Sequence, residues 1–323
     1  MIPGQVTMRY GAPSAGSDCK GASMRSEVFA AIRKLGTELA PPLLEGTQKL
    51  YAPLVARPDP QLCTVERDLV YGPDARHRLD IFHPAKAATR PVPVVAFVHG
   101  GGFVRGDKGG ADAPFYNNVG VWAVQQEMIG VTLTYRLAPG SQWPSGADDV
   151  AAAVDWLNSN VSRFGGDPDR IFLMGQSAGA AHVAGHLAGH HGRGPVRNLA
   201  GAVMLSGIYD LLSLRHSPFE EAYFGADSAR FAAASSLDGL ANTDVPCLFT
   251  VSELDPASFQ QQALRLLNAR WAAQGALPRL LYMQGHNHLS PILQLGSPVD
   301  TLGGDLLDFI RAPSVRHSTG GDS

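Results

Sequence analysis

Residues 170–179, RIFLMGQSAG, constrain this chain more than any other stretch. Ile171, Phe172, Leu173 and Met174 form an uninterrupted apolar run, the composition of a strand buried on both faces. Gly175-Gln176-Ser177-Ala178-Gly179 follows at once. After it, Ala180, Ala181, Val183, Ala184, Leu187 and Ala188 are small or apolar residues suited to a helix packed close against a sheet. A chain that turns from strand to helix this tightly crowds the flanks of the turn, so glycines two positions either side of Ser177 are what the geometry asks for. The pattern G-x-S-x-G alone is common. Between this strand and this helix it lifts one hydroxyl clear of the sheet edge and sets the Ala178 N–H at a helix N-terminus, where negative charge is favoured. A glycine-rich turn with a capping serine is the plainer alternative, and both flanking elements argue against it.

The rest of the chain alternates in a way that fits such a turn. Residues 1–24, rich in Gly, Ser, Ala and Pro, read as a flexible arm, and residues 25–62 as an N-terminal helical segment. In that segment Val28, Ile32, Leu35 and Leu39 fall at helical spacing until Pro41-Pro42 stops the pattern. Thr64–Tyr71 and Arg78–Phe82 read as a hairpin through Gly72-Pro73-Asp74, and Val94–Val98 as a buried strand. Strands and helices then alternate to Ile310, which predicts βαβ units, a mainly parallel central sheet with helices on both faces, and one α/β domain over 63–312. Residues 209–242 exceed an ordinary strand connection. They are expected to form a small helical cap with the N-terminal segment, since insertions at the carboxyl end of a parallel sheet border the ligand crevice. Residues 313–323 read as a flexible tail.

Composition narrows the function. Charged residues make up 17% and the formal net charge is -3, with no Lys/Arg cluster, so nothing points to nucleic acid. Cys19, Cys63 and Cys247 lie far apart, which is neither a disulfide framework nor a zinc ribbon and fits a cytoplasmic setting. No stretch reaches the ~18 apolar residues of a membrane span. His182, His186 and His190 recur at metal-ligand spacing on the helix after Ser177. No glutamate completes an H-E-x-x-H motif, however, and packing is the expected role.

A serine hydroxyl becomes a nucleophile only when a base takes its proton and a carboxylate fixes that base. Glu253 and Asp255 follow the strand Val245–Val251, and His286 and His288 follow the strand ending at Met283, in the order serine, acid, histidine. Upstream, His99-Gly100-Gly101-Gly102-Phe103 ends a buried strand, and its glycines let backbone N–H groups approach a ligand. A phosphate-binding loop would need a lysine and a serine or threonine that are absent here.

HGGGF, YRLAP with Trp143-Pro144 and Asp149 after it, GDPDRIFLMGQSAG and ELDP stand in one order over residues 65–310. In this the chain resembles the hormone-sensitive-lipase-like branch of the α/β-hydrolase esterases. The resemblance implies an α/β-hydrolase fold and a serine esterase for carboxylic esters of short to medium acyl chains, working through an acyl-enzyme without metal or organic cofactor. It implies Ser177 as nucleophile, Asp255 as acid, and Gly101, Gly102 and Ala178 as oxyanion donors, with Gly100 also open. The chain departs from the branch at Ala257, where a leucine is usual, and at GHNHLS, where an H-G-F is usual. His288 is favoured over His286 because an apolar residue follows it, as in the branch. An arylformamidase-like amidase using the same triad is the alternative. A lipase proper and a non-catalytic ligand-binding protein are further rivals, and homo-oligomer formation stays open.

Overall fold

The structure is a computed structural model that describes residues 15–86, 88–192, 199–214 and 217–312. The elements run α1 (Ala15–Lys34), α2 (Pro41–Tyr51), β1 (Cys63–Val70), β2 (Arg78–Pro84), β3 (Val92–Val98), α3 (Asn117–Gln125), β4 (Ile129–Leu133), α4 (Ser145–Asn160), β5 (Gly166–Gln176), α5 (Ala178–Leu187) and β6 (Leu199–Leu205). Then come α6 (Pro218–Phe224), α7 (Phe231–Ala234), α8 (Leu237–Asn242), β7 (Cys247–Leu254), α9 (Ala257–Gln274), β8 (Arg279–Asn287), α10 (Ser290–Leu293) and α11 (Gly303–Arg311). The strands form one eight-stranded sheet in the order β1-β2-β4-β3-β5-β6-β7-β8. The β1–β2 and β2–β4 pairs are antiparallel and every other pair is parallel.

The apolar run in β5 explains how the sheet is covered on both sides. Side chains alternate faces along a strand. Ile171 and Leu173 therefore join the core beneath α4 and α5, with Val150, Val154, Leu157, Val183 and Leu187. Phe172 and Met174 join the opposite core, with Val28 and Ile32 of α1, Trp122 of α3, and Leu306 and Phe309 of α11. All four β5 side chains are buried.

One boundary differs from the sequence reading. Residues 15–24, assigned to the flexible arm, belong to α1, which begins eleven residues before the apolar periodicity starts at Ser26. Gly, Ser and Ala in that stretch provide no apolar stripe for a periodicity argument to find. Residues 1–14 of the arm and the tail 313–323 lie outside the described residues. Besides the core contacts of Val28 and Ile32, the N-terminal segment meets the end of β8, which carries His286 and Asn287. Phe29 meets the His286 ring edge-on at 4.8 Å, and Asn287 Nδ2 donates to Thr47 Oγ1 of α2 at 2.8 Å.

The described residues of 209–242 carry three short α-helices and one 3-10 turn. Their side chains Tyr223, Phe224, Phe231 and Ala234 pack with Phe103, Ala178, Ala181 and Phe259 over the carboxyl end of the sheet. The backbone carbonyl of Tyr223 accepts from Trp143 N at 2.9 Å, and its hydroxyl accepts from Gly146 N at 3.0 Å. These bonds tie the segment to the loop that follows β4.

Candidate active site

β5 ends at Gln176, and Ser177 takes φ 56° and ψ −119° before α5 begins at Ala178. A non-glycine residue at positive φ costs about 1–3 kcal/mol and persists only where its surroundings enforce it. Here the enforcement is visible. Ser177 N donates to Leu205 O of β6 at 2.9 Å, and Ser177 O accepts from Ala181 N at 3.1 Å in the first turn of α5. A Cβ on Gly179 would run into the carbonyl oxygens of Val98 and His99, so α5 lies directly on the end of β3. Ser177 itself is partly exposed. As the first residue of α5, Ala178 presents one of the N–H groups that have no partner four residues back along the helix.

The glycine loop leaves β3 beside this turn. Gly101 has φ 133° and Gly102 φ 60°, and a Cβ on Gly101 would run into the carbonyl of Arg105. The loop is held from below by the residues around YRLAP. Tyr135 stacks on the His99 ring at 4.4 Å, and its hydroxyl donates to His99 O at 2.9 Å. Arg76 donates to Tyr135 O at 2.6 Å and to Gly106 O at 2.9 Å. Asp149 accepts from Arg136 N at 2.7 Å and from Arg136 Nε at 2.8 Å, and stands 3.0 Å from His77 Nε2. These contacts make Tyr135, Arg136 and Asp149 the framework of the loop.

Asp255 and His288 are buried together, with His288 Nδ1 2.7 Å from Asp255 Oδ1. The other carboxylate oxygen, Oδ2, accepts from Ser206 Oγ at 2.6 Å and from Ser252 N at 2.7 Å. A proton on Nδ1 satisfies Asp255 and leaves Nε2 with its lone pair; Nε2 is buried and carries no hydrogen bond. The ring packs on Phe259 at 4.3 Å between centroids. His288 lies beside the serine turn, because Gln176, the residue before Ser177, donates from Nε2 to His288 O at 3.0 Å.

His286 is engaged elsewhere, with Nδ1 2.9 Å from Ser290 Oγ and Nε2 2.9 Å from Thr301 Oγ1. Glu253 Oε2 accepts from Gly285 N at 2.6 Å and stands 3.4 Å from Arg33. Both residues shape the loop and are not brought to Asp255 or His288. His182 sits among aromatic rings, 4.4 Å from Tyr135 and 5.0 Å from Tyr223, while His190 Nδ1 accepts from Trp143 Nε1 at 3.2 Å. Among the described residues no three His, Cys, Asp or Glu side chains could hold a metal ion.

Sequence reasoning did not single out Ser206, Ser252, Phe259 or Gln176 in any site role. Gln176 ends β5 and Ser206 directly follows β6, where side chains cluster at the carboxyl edge of a parallel sheet. That position is the only signal that could have found them.

Three buried histidines carry a consequence for stability. Burial is the first cause in each case, pushing His99 down to about 4, His182 to about 3 and His286 to about 4. Imidazoles in the unfolded chain titrate near ~6.5, so unfolding takes up protons below that pH. Stability is therefore fully present above about pH 6.5 and is lost as pH falls toward the folded values, at ~1.4 kcal/mol per pH unit for each proton taken up. Urea midpoints measured from pH 7 to pH 5, above the range where most carboxylates titrate, are expected to fall steadily. A flat profile would mean that these rings are not held neutral.

A BD-FAE family model matches residues 79–208. A probable isoprenylcysteine alpha-carbonyl methylesterase of Arabidopsis thaliana is 38% identical over 120 residues, which cover 37% of this chain and 24% of that protein. The chlorogenic acid esterase of Aspergillus niger is 33% identical over 173 residues, covering 50% of this chain and 31% of that protein. The chain thus spans less than two thirds of the length of the curated relatives it matches. Among solved structures, esterase B from Lactobacillus rhamnosis superposes with a TM-score of 0.69 at 19% identity, covering 90% of this chain and 94% of that one. That likeness is one of fold.

Proposed function

We propose that this chain, an α/β-hydrolase of the carboxylesterase kind, hydrolyses carboxylic esters of short to medium acyl chain through an acyl-enzyme on Ser177. The observation that carries the reading is the histidine. Asp255 holds Nδ1 at 2.7 Å, while Nε2 is left without a partner beside a serine in a strained turn. In the first step Ser177 Oγ attacks the ester carbonyl as His288 Nε2 takes its proton. The carbonyl oxygen becomes an oxyanion at the N–H groups of Gly101, Gly102 and Ala178, where donors fixed beforehand need no reorganisation. His288 then passes the proton to the leaving alcohol as the C–O bond breaks. Water repeats the sequence on the acyl-enzyme, its proton going to His288 and then to Ser177 as the acid departs. Asp255 stays ionised and stabilises the imidazolium in both halves.

The substrate side is a small-molecule ester, and no helix among the described residues is long and apolar enough to cross a membrane. Cys63 and Cys247 stand as free thiols, which supports a reducing, cytoplasmic setting. The test is turnover of p-nitrophenyl esters from acetate to laurate, with a fluorophosphonate label mapped to its peptide. An optimum at short or medium chains and a label on residues 175–179 are expected. No turnover and no label would remove the reading. Faster hydrolysis of an N-formyl anilide than of any ester would move it to the amidase.

A further inference from the structure

We propose that Gln176 is a positioning residue for His288, an inference that rests on the esterase reading above. Gln176 closes β5, pairs in register with Leu205 of β6 and is 5% exposed. Its carboxamide touches both loops that flank the serine. Nε2 donates to the carbonyl oxygen of His288 at 3.0 Å, and a Cβ on Gly100 would run into Oε1, so the amide lies close against the glycine loop. A primary amide is costly to bury unless it is hydrogen-bonded, and an apolar side chain of the same length would fill this space more cheaply. The polar group is explained by the carbonyl it meets.

Two anchors then fix the catalytic imidazole. Asp255 holds the ring at Nδ1, and Phe259 packs on its face. Neither contact fixes the backbone from which the ring projects. The Gln176 bond does, because it ties the carbonyl of residue 288 to the residue that directly precedes the nucleophile. The separation of Oγ and Nε2 is thereby set by one short path, from Ser177 through Gln176 to His288, as well as by the folding of the intervening chain. A displacement of the order of 1 Å between reacting groups lowers the rate without weakening substrate binding.

The experiment compares wild type, Gln176→Met and Gln176→Glu on p-nitrophenyl acetate from pH 5.5 to 8.5, reading kcat, KM and the thermal midpoint. Gln176→Met keeps the length and loses the donor; its kcat is expected to fall about tenfold, with KM within about twofold of wild type. Gln176→Glu places a carboxylate against the His288 carbonyl at high pH and regains an O–H donor when protonated. Its rate relative to wild type is expected to rise as pH is lowered, a response that a packing role alone would not give. An active wild type matched in kcat by Gln176→Met, or a Gln176→Glu to wild-type ratio that does not change with pH, overturns the inference. A wild type that turns over no ester overturns the parent reading and this one together.

Discussion

Ser177→Ala is expected to abolish ester turnover, lowering kcat by roughly 10⁴- to 10⁶-fold, and to remove fluorophosphonate labelling altogether. The size follows from what is lost. Without Oγ no acyl-enzyme forms, and the glycine loop can only stabilise direct attack by water, which leaves a small residual rate. The fold should survive. Ser177 makes its structural contacts through its backbone, donating to Leu205 O and accepting from Ala181 N. Alanine suffers the same strain at positive φ that serine does. Intact-protein mass after labelling and stopped-assay turnover check both halves. A mutant that still labels, now on a peptide other than 175–179, or keeps turnover within tenfold would place the nucleophile elsewhere.

The second large effect separates two histidines that are two residues apart. His288→Ala is expected to cost about 10⁴- to 10⁶-fold in kcat, because the serine loses its base and the leaving alcohol its acid. His286→Ala should stay within about tenfold of wild type in kcat. Its price is stability, since Ser290 and Thr301 lose buried partners. Rates are best compared at low temperature, beside a melting curve for each variant. The opposite ranking would assign the base to His286 and would require the loop after β8 to rearrange.

What could be read from the sequence was whatever is local. The serine turn is visible because its causes, an apolar strand, two glycines and a small-residue helix, lie within twenty residues of one another. The parallel sheet is visible for the same reason, as each βαβ unit announces itself in turn. The neighbour Leu289 favours His288 over His286 only by resemblance to the esterase branch, because the contacts that distinguish the two rings are distant in sequence. His288 meets Asp255, 33 positions away, and His286 meets Thr301. Ser206 lies 49 positions from the carboxylate it donates to, and Gln176 112 positions from the carbonyl it holds. No periodicity records such pairs. The first turns of α1 escaped notice for a different reason, since a helix of Gly, Ser and Ala lacks an apolar stripe.

The bond from Asn287 Nδ2 to Thr47 Oγ1 and the contact of Phe29 with Gly285 and His286 have a bearing on how this protein can be cut and recombined. By sequence, residues 25–62 read as part of a cap over the site, set apart from the α/β domain that starts at residue 63. By contact, α1 and α2 are the footing on which the end of β8, with His286 and Asn287, rests just before His288. A fragment that begins at β1 is therefore expected to melt at a lower temperature than the full chain, with the end of β8 left unsupported. A chimera that takes its sheet from this chain is expected to need α1 and α2 with it.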